Sequence, residues 1–303
     1  MPDITYDLRY LRYAVLVSET GSFRRTAEML SVSQSTVSRR IQLLERRIGV
    51  ALFERHRSGA RVTLAGERFL KEAVIGARHL HQAVDSVVQA KRGSTGVLRV
   101  GLTAYLANGF LAELLAAYHH RYPAIDVFFE EAASQISARA LLSSRLDAAF
   151  VPGDPRLPGC RAERLWGEKI YVAVPEPHVV ALSDAASWDD VKRETFLVTA
   201  DAAGPEIEDY LMRHLSDRGI RPRVSVQRVG CDNLLNMVAQ GFGITVTTNS
   251  TALIGYPGVR FVPIISDEDT ISYSVVWSET NHNPALKLLI EMSLDHARRS
   301  GTR

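Results

Sequence analysis

The chain has 303 residues, of which 46% are hydrophobic and 23% charged. It is too long for one ordinary core and too apolar for a disordered or collagenous chain, so two or three globular domains are expected. The formal net charge of +2 conceals an asymmetry. Residues 1–65 hold eleven basic and six acidic residues, a net of +5, while the remainder carries −3, so a polyanion partner is expected for the first block alone. Two cysteines, Cys160 and Cys231, lie far apart in no metal-ligand spacing, which argues against a disulfide-stapled scaffold and for reduced thiols. The opening MPDITYDLRYLRYAVLV lacks the charge order and cleavage site of a signal peptide. No apolar run approaches the roughly 18 residues of a membrane span. A cytoplasmic protein with no membrane partner is the expectation.

Short helices are predicted first. Leu8, Leu11, Val15 and Leu16 recur at helical spacing up to the turn Thr20-Gly21-Ser22. Ser22 can cap a second helix from about 23 to 30, with Ala27 and Leu30 inward. Ser33 can cap a third, whose stripe is Val37, Ile41, Leu44 and Ile48 and whose end is Gly49. Its opposite face carries Gln34, Ser35, Ser38, Arg39 and Gln42. Two short extended runs flanking Ser58-Gly59 follow, loaded with Arg55, Arg57 and Arg61. A helix over about 65–91, striped by Phe69, Ala73, Leu80, Val84 and Val87, makes a rod on the order of 40 Å long. The preceding block is too small to cover that stripe, so a partner helix is expected. Gly93-Ser94-Thr95-Gly96 reads as a hinge.

From Val97 the period switches. Strands are predicted at 98–102, 125–132 and 147–151, alternating with helices at 110–121 and 136–145. The alternation repeats with strands at 169–174, 196–199, 224–229 and 244–248 and helices near 205–218 and 233–240. Final strands at 259–264 and 271–278 precede a helix at 284–299, and 153–159 is a loop. Such alternation implies parallel α/β sheet, arranged as two small lobes.

Three short helices followed by a basic hairpin form a winged helix-turn-helix pattern. A helix that fits the major groove carries short polar side chains in its first turns, so that it approaches the base edges closely. Gln34 can pair with adenine, and Ser33, Ser35, Thr36 and Ser38 can read donors or acceptors. Arg39 and Arg40 reach guanine or phosphate, and Arg57 and Arg61 lie along the backbone or minor groove. The alternative is a small helical bundle with a solvated basic face.

The stretch from Leu8 to Leu70 resembles the N-terminal domain of LysR-type transcriptional regulators. GSF at 21–23, SVSQSTVSR at 31–39, LLERRIG at 43–49 and LFER at 52–55 all stand in register. Ser35 stands where the family often has proline, Ala14 where it often has an aromatic, and His56 where threonine is common. The resemblance implies an all-α winged helix-turn-helix head over 1–65 and a linker, dimerisation helix over 66–92. It implies a two-lobed α/β effector domain like a periplasmic binding protein over 93–303. Lobe I would hold about 97–164 and 266–303, and lobe II about 165–265. The implied partners are double-stranded promoter DNA bearing an inverted repeat, further copies of the chain in a homodimer or homotetramer, and RNA polymerase. No cofactor or metal is implied, only a small-molecule co-inducer held between the lobes.

Mapped onto this chain, the effector loops offer Thr103, Ala104, Ser134 and Gln135 from one lobe. Thr199, Asp201, Gly230 and Cys231 come from the other. Short polar groups near helix N-termini suit a carboxylate effector. Asp201 works against an anion, as does Ala133 where relatives carry a hydroxyl, so an amine or polyol stays open. One branch of the family senses peroxide through cysteines, but the 160/231 spacing gives no support for that, and a free buried thiol is the ordinary reading. His79, His81, His119 and His120 lack ligand companions, and Asp147 looks structural. No Walker loop, zinc-protease helix or nucleophile elbow occurs. Gly241-Phe242-Gly243 follows a helix and precedes a strand, the reverse of a dinucleotide fingerprint. No enzyme activity is expected. The rival reading is a solute-binding or catalytic α/β protein with an accessory head.

Overall fold

The computed structural model describes residues 8–56, 59–92, 96–103, 106, 108–216, 219, 221–265 and 270–301, with the side chains of 8, 9, 55, 78, 79 and 81–92 left aside. The expectations for Arg57 and Ala104, for the 93–95 part of the hinge, and for the side chains of Leu8, His79, His81, Val84 and Val87 therefore lie outside the described residues. The chain divides into two compact units, Met1–Val84 and Asp85–Arg303.

In the first unit, α1 (Leu8–Thr20), α2 (Phe23–Met29) and α3 (Gln34–Ile48) precede a hairpin of β1 (Phe53–His56) and β2 (Gly59–Val62). The helix α4 (Leu64–Arg92) follows. Val37, Ile41 and Leu44 of α3 are buried as the spacing predicts, against Phe23, Ala27, Leu52, Phe53 and Leu70. The stripe of α1 differs from expectation. It runs through Leu11, Ala14 and Val17, with Val15 and Leu16 only half-buried. Leu30 is likewise half-buried, and Thr26 takes the buried place in α2. Phe69 and Ala73 of α4 pack on this core, whereas Leu80 is exposed.

The second unit runs β3 (Gly96–Leu102), α5 (Phe110–Arg121), β4 (Ile125–Glu131), α6 (Ser134–Leu142) and β5 (Ala148–Pro152). The strand β6 (Cys160–Pro175) and a single 3-10 turn at Val179–Leu182 lead to α7 (Trp188–Val191), β7 (Thr195–Thr199) and α8 (Gly204–Ser216). Then come β8 (Arg223–Gln227), α9 (Cys231–Ala239), β9 (Thr245–Thr248) and α10 (Asn249–Ala252). The last elements are β10 (Val259–Pro263), β11 (Thr270–Ser278) and α11 (Pro284–Arg299).

Only part of the expected parallel sheet is parallel. The pairs β3–β4, β3–β5 and β7–β8 are, but β6, β9, β10 and β11 pair antiparallel. The seven-stranded order is β10-β6-β11-β5-β3-β4, with β9 also on β6. The physical reason is β6, which is 16 residues long where six were expected. Its first half pairs with β11 from Ser278↔Cys160 to Thr270↔Lys169, and its second half pairs with β9 and β10. The first half carries charged residues at three of five positions, Arg161-Ala162-Glu163-Arg164-Leu165, so it lacks the continuous apolar run of a fully buried strand. The register shifts opposite Tyr273/Ser274, where Leu165 is the extra residue on β6. Such a bulge bends a strand, here as it passes from one core to the next.

Two main cores result. Leu98, Val100, Leu111, Leu114, Phe150, Trp166, Val275 and Leu289 pack around β3, α5 and α11. Val172, Val174, Trp188, Phe196, Leu211, Leu215 and Ile244 pack around β6, β7 and α8. Smaller clusters under α6 and under α9 cover the opposite faces of the two sheets. Sheets covered on both sides in this way leave the strand-end loops as the places where polar groups are free to gather. Asp147 is structural, as read: it accepts from Arg99 N at 2.8 Å and from Asn281 Nδ2 at 2.9 Å.

Candidate nucleic-acid interface and effector site

The third helix carries its polar row on a well-terminated scaffold. Ser33 Oγ accepts from Thr36 N at 3.2 Å, closing the first turn. The same hydroxyl lies 2.8 Å from Ser35 Oγ and 2.8 Å from Thr36 Oγ1. Gly49 ends the helix in the left-handed conformation, and Arg46 and Arg47 in the last turn complement the negative end of its dipole. Val37, Ile41 and Leu44 face the core, so the N-terminal half presents Gln34, Ser35 and Arg39 to solvent, with Thr36 and Ser38 half-buried beside them.

Arg40 behaves differently from its neighbour. Its Nη1 donates to Tyr10 Oη at 3.0 Å, and its guanidinium lies 5.2 Å from the centre of the Tyr10 ring. Arg47, two turns further on, sits over the same ring at 5.9 Å. Residues 40 and 47 are seven apart and share a helix face. That face looks back at α1, so Arg40 leaves the helix on a different side from Arg39.

The hairpin pairs Phe53↔Val62 through His56↔Gly59 and leaves Arg61 exposed. Glu45 of α3 anchors it: Oε1 accepts from Leu52 N at 2.8 Å and Phe53 N at 3.1 Å. The other end is tied to the α1–α2 turn, where Ala60 N donates to Gly21 O at 2.8 Å. Gly59, at φ +140°, is required there, since a Cβ would come within 2.6 Å of Gly21 O.

In the second unit the strand-end loops converge across the two lobes. Thr103 is buried, with Oγ1 donating to Ala132 O at 3.0 Å. Ser134 opens α6, and its N–H donates 2.5 Å across to Glu206 Oε1 in the first turn of α8. Glu168 on β6 is buried and accepts from Trp166 Nε1 at 2.9 Å, Ser250 N at 3.2 Å and Ser250 Oγ at 2.6 Å. Burial, then Glu168, and more weakly Glu206 push the Tyr273 phenol well above its ordinary range, with a hydrogen bond to Thr248 acting the other way. Gln135 is exposed and Asp201 is exposed, its carbonyl accepting from Thr199 Oγ1 at 2.7 Å. Gly230 caps α9, whose first residue is Cys231.

Burial, then Asp232 and Glu131, push Cys231 up to about 11, and burial and Glu279 raise Cys160. Both cysteines are free. Among the described residues no group of three His, Cys, Asp or Glu is placed to hold a metal ion. No helix among them is long and apolar enough to cross a membrane. An open hollow of about 600 Å³ lies along α5 and β4, lined by Leu115, His119, Val127 and Phe129. A smaller one of about 180 Å³ runs beside α6 and shares Ser134 and Gln135. Neither is lined by Glu206 or Thr199.

The sequence profile of a bacterial regulatory helix-turn-helix protein, lysR family, matches residues 8–67, and that of a LysR substrate binding domain matches residues 91–298. The chain belongs to the LysR family. It is 30% identical over 295 residues to the HTH-type transcriptional regulator BudR of Raoultella terrigena, covering 94% of this chain and 99% of that one. Full-length CbnR, a LysR family regulator solved with its target DNA, superposes with a TM-score of 0.77 at 24% identity, over 97% of this chain and 100% of that one. The effector-binding domain of BenM, solved with its effector benzoate, superposes with a TM-score of 0.59 at 22% identity, over 68% of this chain and 94% of that one. This chain is a DNA-binding transcriptional regulator with an effector-binding domain, and not an enzyme.

Among the predicted site residues of this LysR regulator, α3 brings Ser33, Gln34, Ser35, Thr36, Ser38 and Arg39 into one polar row. The strand ends supply Thr103, Ser134, Gln135, Thr199, Asp201, Gly230 and Cys231, of which Ser134 makes the cross-lobe contact to Glu206. The sequence reading missed Tyr10, Glu45, Glu168 and Glu206. Glu45 was legible in principle, as a lone acid inside LLERRIG. Glu206 was not, because an acid in a helix's first turn is ordinary dipole chemistry and its partner lies 72 positions away.

Proposed function

We propose that this regulator reads an inverted repeat in double-stranded promoter DNA as a cytoplasmic homodimer or homotetramer, with RNA polymerase as a further partner. A small molecule binding between lobes I and II tunes that activity. The division of labour is a DNA-binding head at 1–65, a dimerising helix at 66–92 and an effector domain at 93–303. Lobe I takes about 97–164 and 266–303, and lobe II about 165–265. Gln34, Ser35, Thr36, Ser38 and Arg39 approach base edges, Ser33 shapes the helix end that faces phosphate, and Arg57 and Arg61 contact the backbone from the wing.

The observation that carries this reading is the exposed row Gln34, Ser35 and Arg39 on the N-terminal half of a helix whose other face is fully buried. It belongs to the one block of the chain with a strong positive balance. Helix exposure of this kind is what the major groove requires. The test is the salt dependence of binding to an operator selected by the full-length protein from random duplexes. Phosphate contacts release counterions, so log affinity should fall steeply and linearly with log salt. A flat response would remove the phosphate-contact reading.

A further inference from the structure

The chain enters the wing through Ala51, Leu52 and Phe53, and two elements hold that short segment. From α3, Glu45 Oε1 accepts from both Leu52 N at 2.8 Å and Phe53 N at 3.1 Å. From the start of α4, Thr63 N donates to Leu52 O at 2.9 Å and Thr63 Oγ1 donates to Ala51 O at 2.8 Å. The same hydroxyl accepts from Gly66 N at 2.9 Å, in the first turn of α4. Gly66 has no room for a Cβ, which would run into Leu52 O. The root of the wing is thus clamped between the helix that carries the polar row and the helix that leaves the head.

Two observations set Glu45 apart from an ordinary surface acid. Successive N–H groups of an extended strand point to opposite sides, so two neighbouring N–H groups on one oxygen mark a turn that the carboxylate holds. Glu45 also stands in the last turn of α3, where Arg46 and Arg47 have the sign that the helix dipole favours and an acid does not. Helix stability therefore gives no reason for an acid at this place. Leu52 and Phe53 are buried, and Phe53 meets Phe23 edge-on at 6.1 Å. Apolar burial is non-directional, so it seats the segment without setting the direction in which the hairpin leaves it. Hydrogen bonds are directional, and Glu45 supplies them from α3 itself.

We propose that Glu45 is a positioning residue for DNA recognition. It fixes the wing to α3, so that Arg61 reaches phosphate in the same docked pose in which Gln34, Ser35 and Arg39 meet base edges. Glu45 acts through Arg61, which is exposed on β2. What Glu45 contributes is reach rather than charge, since a neutral amide oxygen at the same place can accept the same two bonds. The proposal rests on the reading of Arg61 as a backbone contact. Phosphate contacts set the register of a protein on the duplex, so a loosened wing costs phosphate contacts first.

The experiment uses the full-length protein and a duplex that it selects from random sequences. The slope of log affinity against log salt counts phosphate contacts. Glu45→Gln keeps the acceptor and loses the charge, whereas Glu45→Asp keeps the charge and is one methylene too short to hold both N–H groups. Glu45→Gln should keep the wild-type slope, and Glu45→Asp should flatten it by about 1 per head, the loss of one phosphate contact. Arg61→Ala should flatten the wild-type slope by about 1 per head and leave the Glu45→Asp slope where it is, because residues that act as a unit do not add. A merely destabilised head lowers apparent affinity alike at every salt concentration and leaves the slope unchanged; thermal unfolding by circular dichroism gives the folded fraction of each variant. A wild-type slope in Glu45→Asp overturns the proposal. So does flattening by Glu45→Gln, which still has the acceptor, and so does a full Arg61→Ala effect in the Glu45→Asp background. An unchanged slope on Arg61→Ala in the otherwise wild-type chain removes the wing-contact reading itself, and the proposal with it.

Discussion

The head and the inter-lobe site solve recognition in opposite ways. In the head, one short helix does two jobs by period alone: Val37, Ile41 and Leu44 point inward while Gln34, Ser35 and Arg39 point outward. Every residue of that surface lies within about two helical turns of its neighbours. Between the lobes, the contact that matters joins Ser134 to Glu206, and the supporting acids come from β4, β6 and α9. One surface is written locally and carries net positive charge; the other is assembled from distant segments and is acidic. A local surface survives changes elsewhere in the chain, whereas an assembled one depends on how two cores sit together.

The largest expected effect breaks the head alone. Ile41 is fully buried in a small core, so Ile41→Ala should cost about 2–5 kcal/mol. All three tryptophans, Trp166, Trp188 and Trp277, belong to the second unit. Operator binding and helical signal should therefore fall while tryptophan fluorescence stays native. A simultaneous change in fluorescence would contradict the independence of the two units.

The next effect sits in the second unit. Cys231 is raised from 9.0 to about 11, so its thiolate near neutral pH is about 100-fold scarcer than that of an unperturbed thiol. Alkylation by iodoacetamide should be slower by about that factor in the native protein and recover on unfolding. A raised folded pKa favours the folded state fully below 9.0, and that contribution is lost as pH rises towards 11. Rapid native-state alkylation would revive a redox role for this residue. The smallest effect returns to the head: Ser33→Ala removes the cap on Thr36 N and should lower stability by about 1 kcal/mol. Thermal unfolding followed by circular dichroism reads it.

The same contrast explains what the sequence could and could not reveal. The bounds of α3, α5 and α11 were readable to within a residue, because caps and apolar steps are local signals. The length and antiparallel pairing of β6 were not, since its first half borrows its partner, β11, from the other end of the chain. At the site level, the polar row of α3 was legible and the true position of Arg40 was not, because nothing in SRR says that Tyr10 waits 30 residues earlier. The polar residues of the strand-end loops left the ligand class open between a carboxylate and an amine or polyol. Asp201 drew attention for its charge and is exposed, while Glu206, which drew none, makes the contact.

Arg39 and Arg40 are adjacent in sequence, yet the fold gives one to solvent and the other to Tyr10. Operator affinity and thermal unfolding of Arg39→Ala and Arg40→Ala, measured side by side in the full-length protein, test the DNA-reading surface most directly. Arg39→Ala should lose about 1–3 kcal/mol of operator affinity with unchanged unfolding, whereas Arg40→Ala should lower the unfolding temperature. Wild-type operator affinity in Arg39→Ala would contradict the assignment of this helix face to DNA.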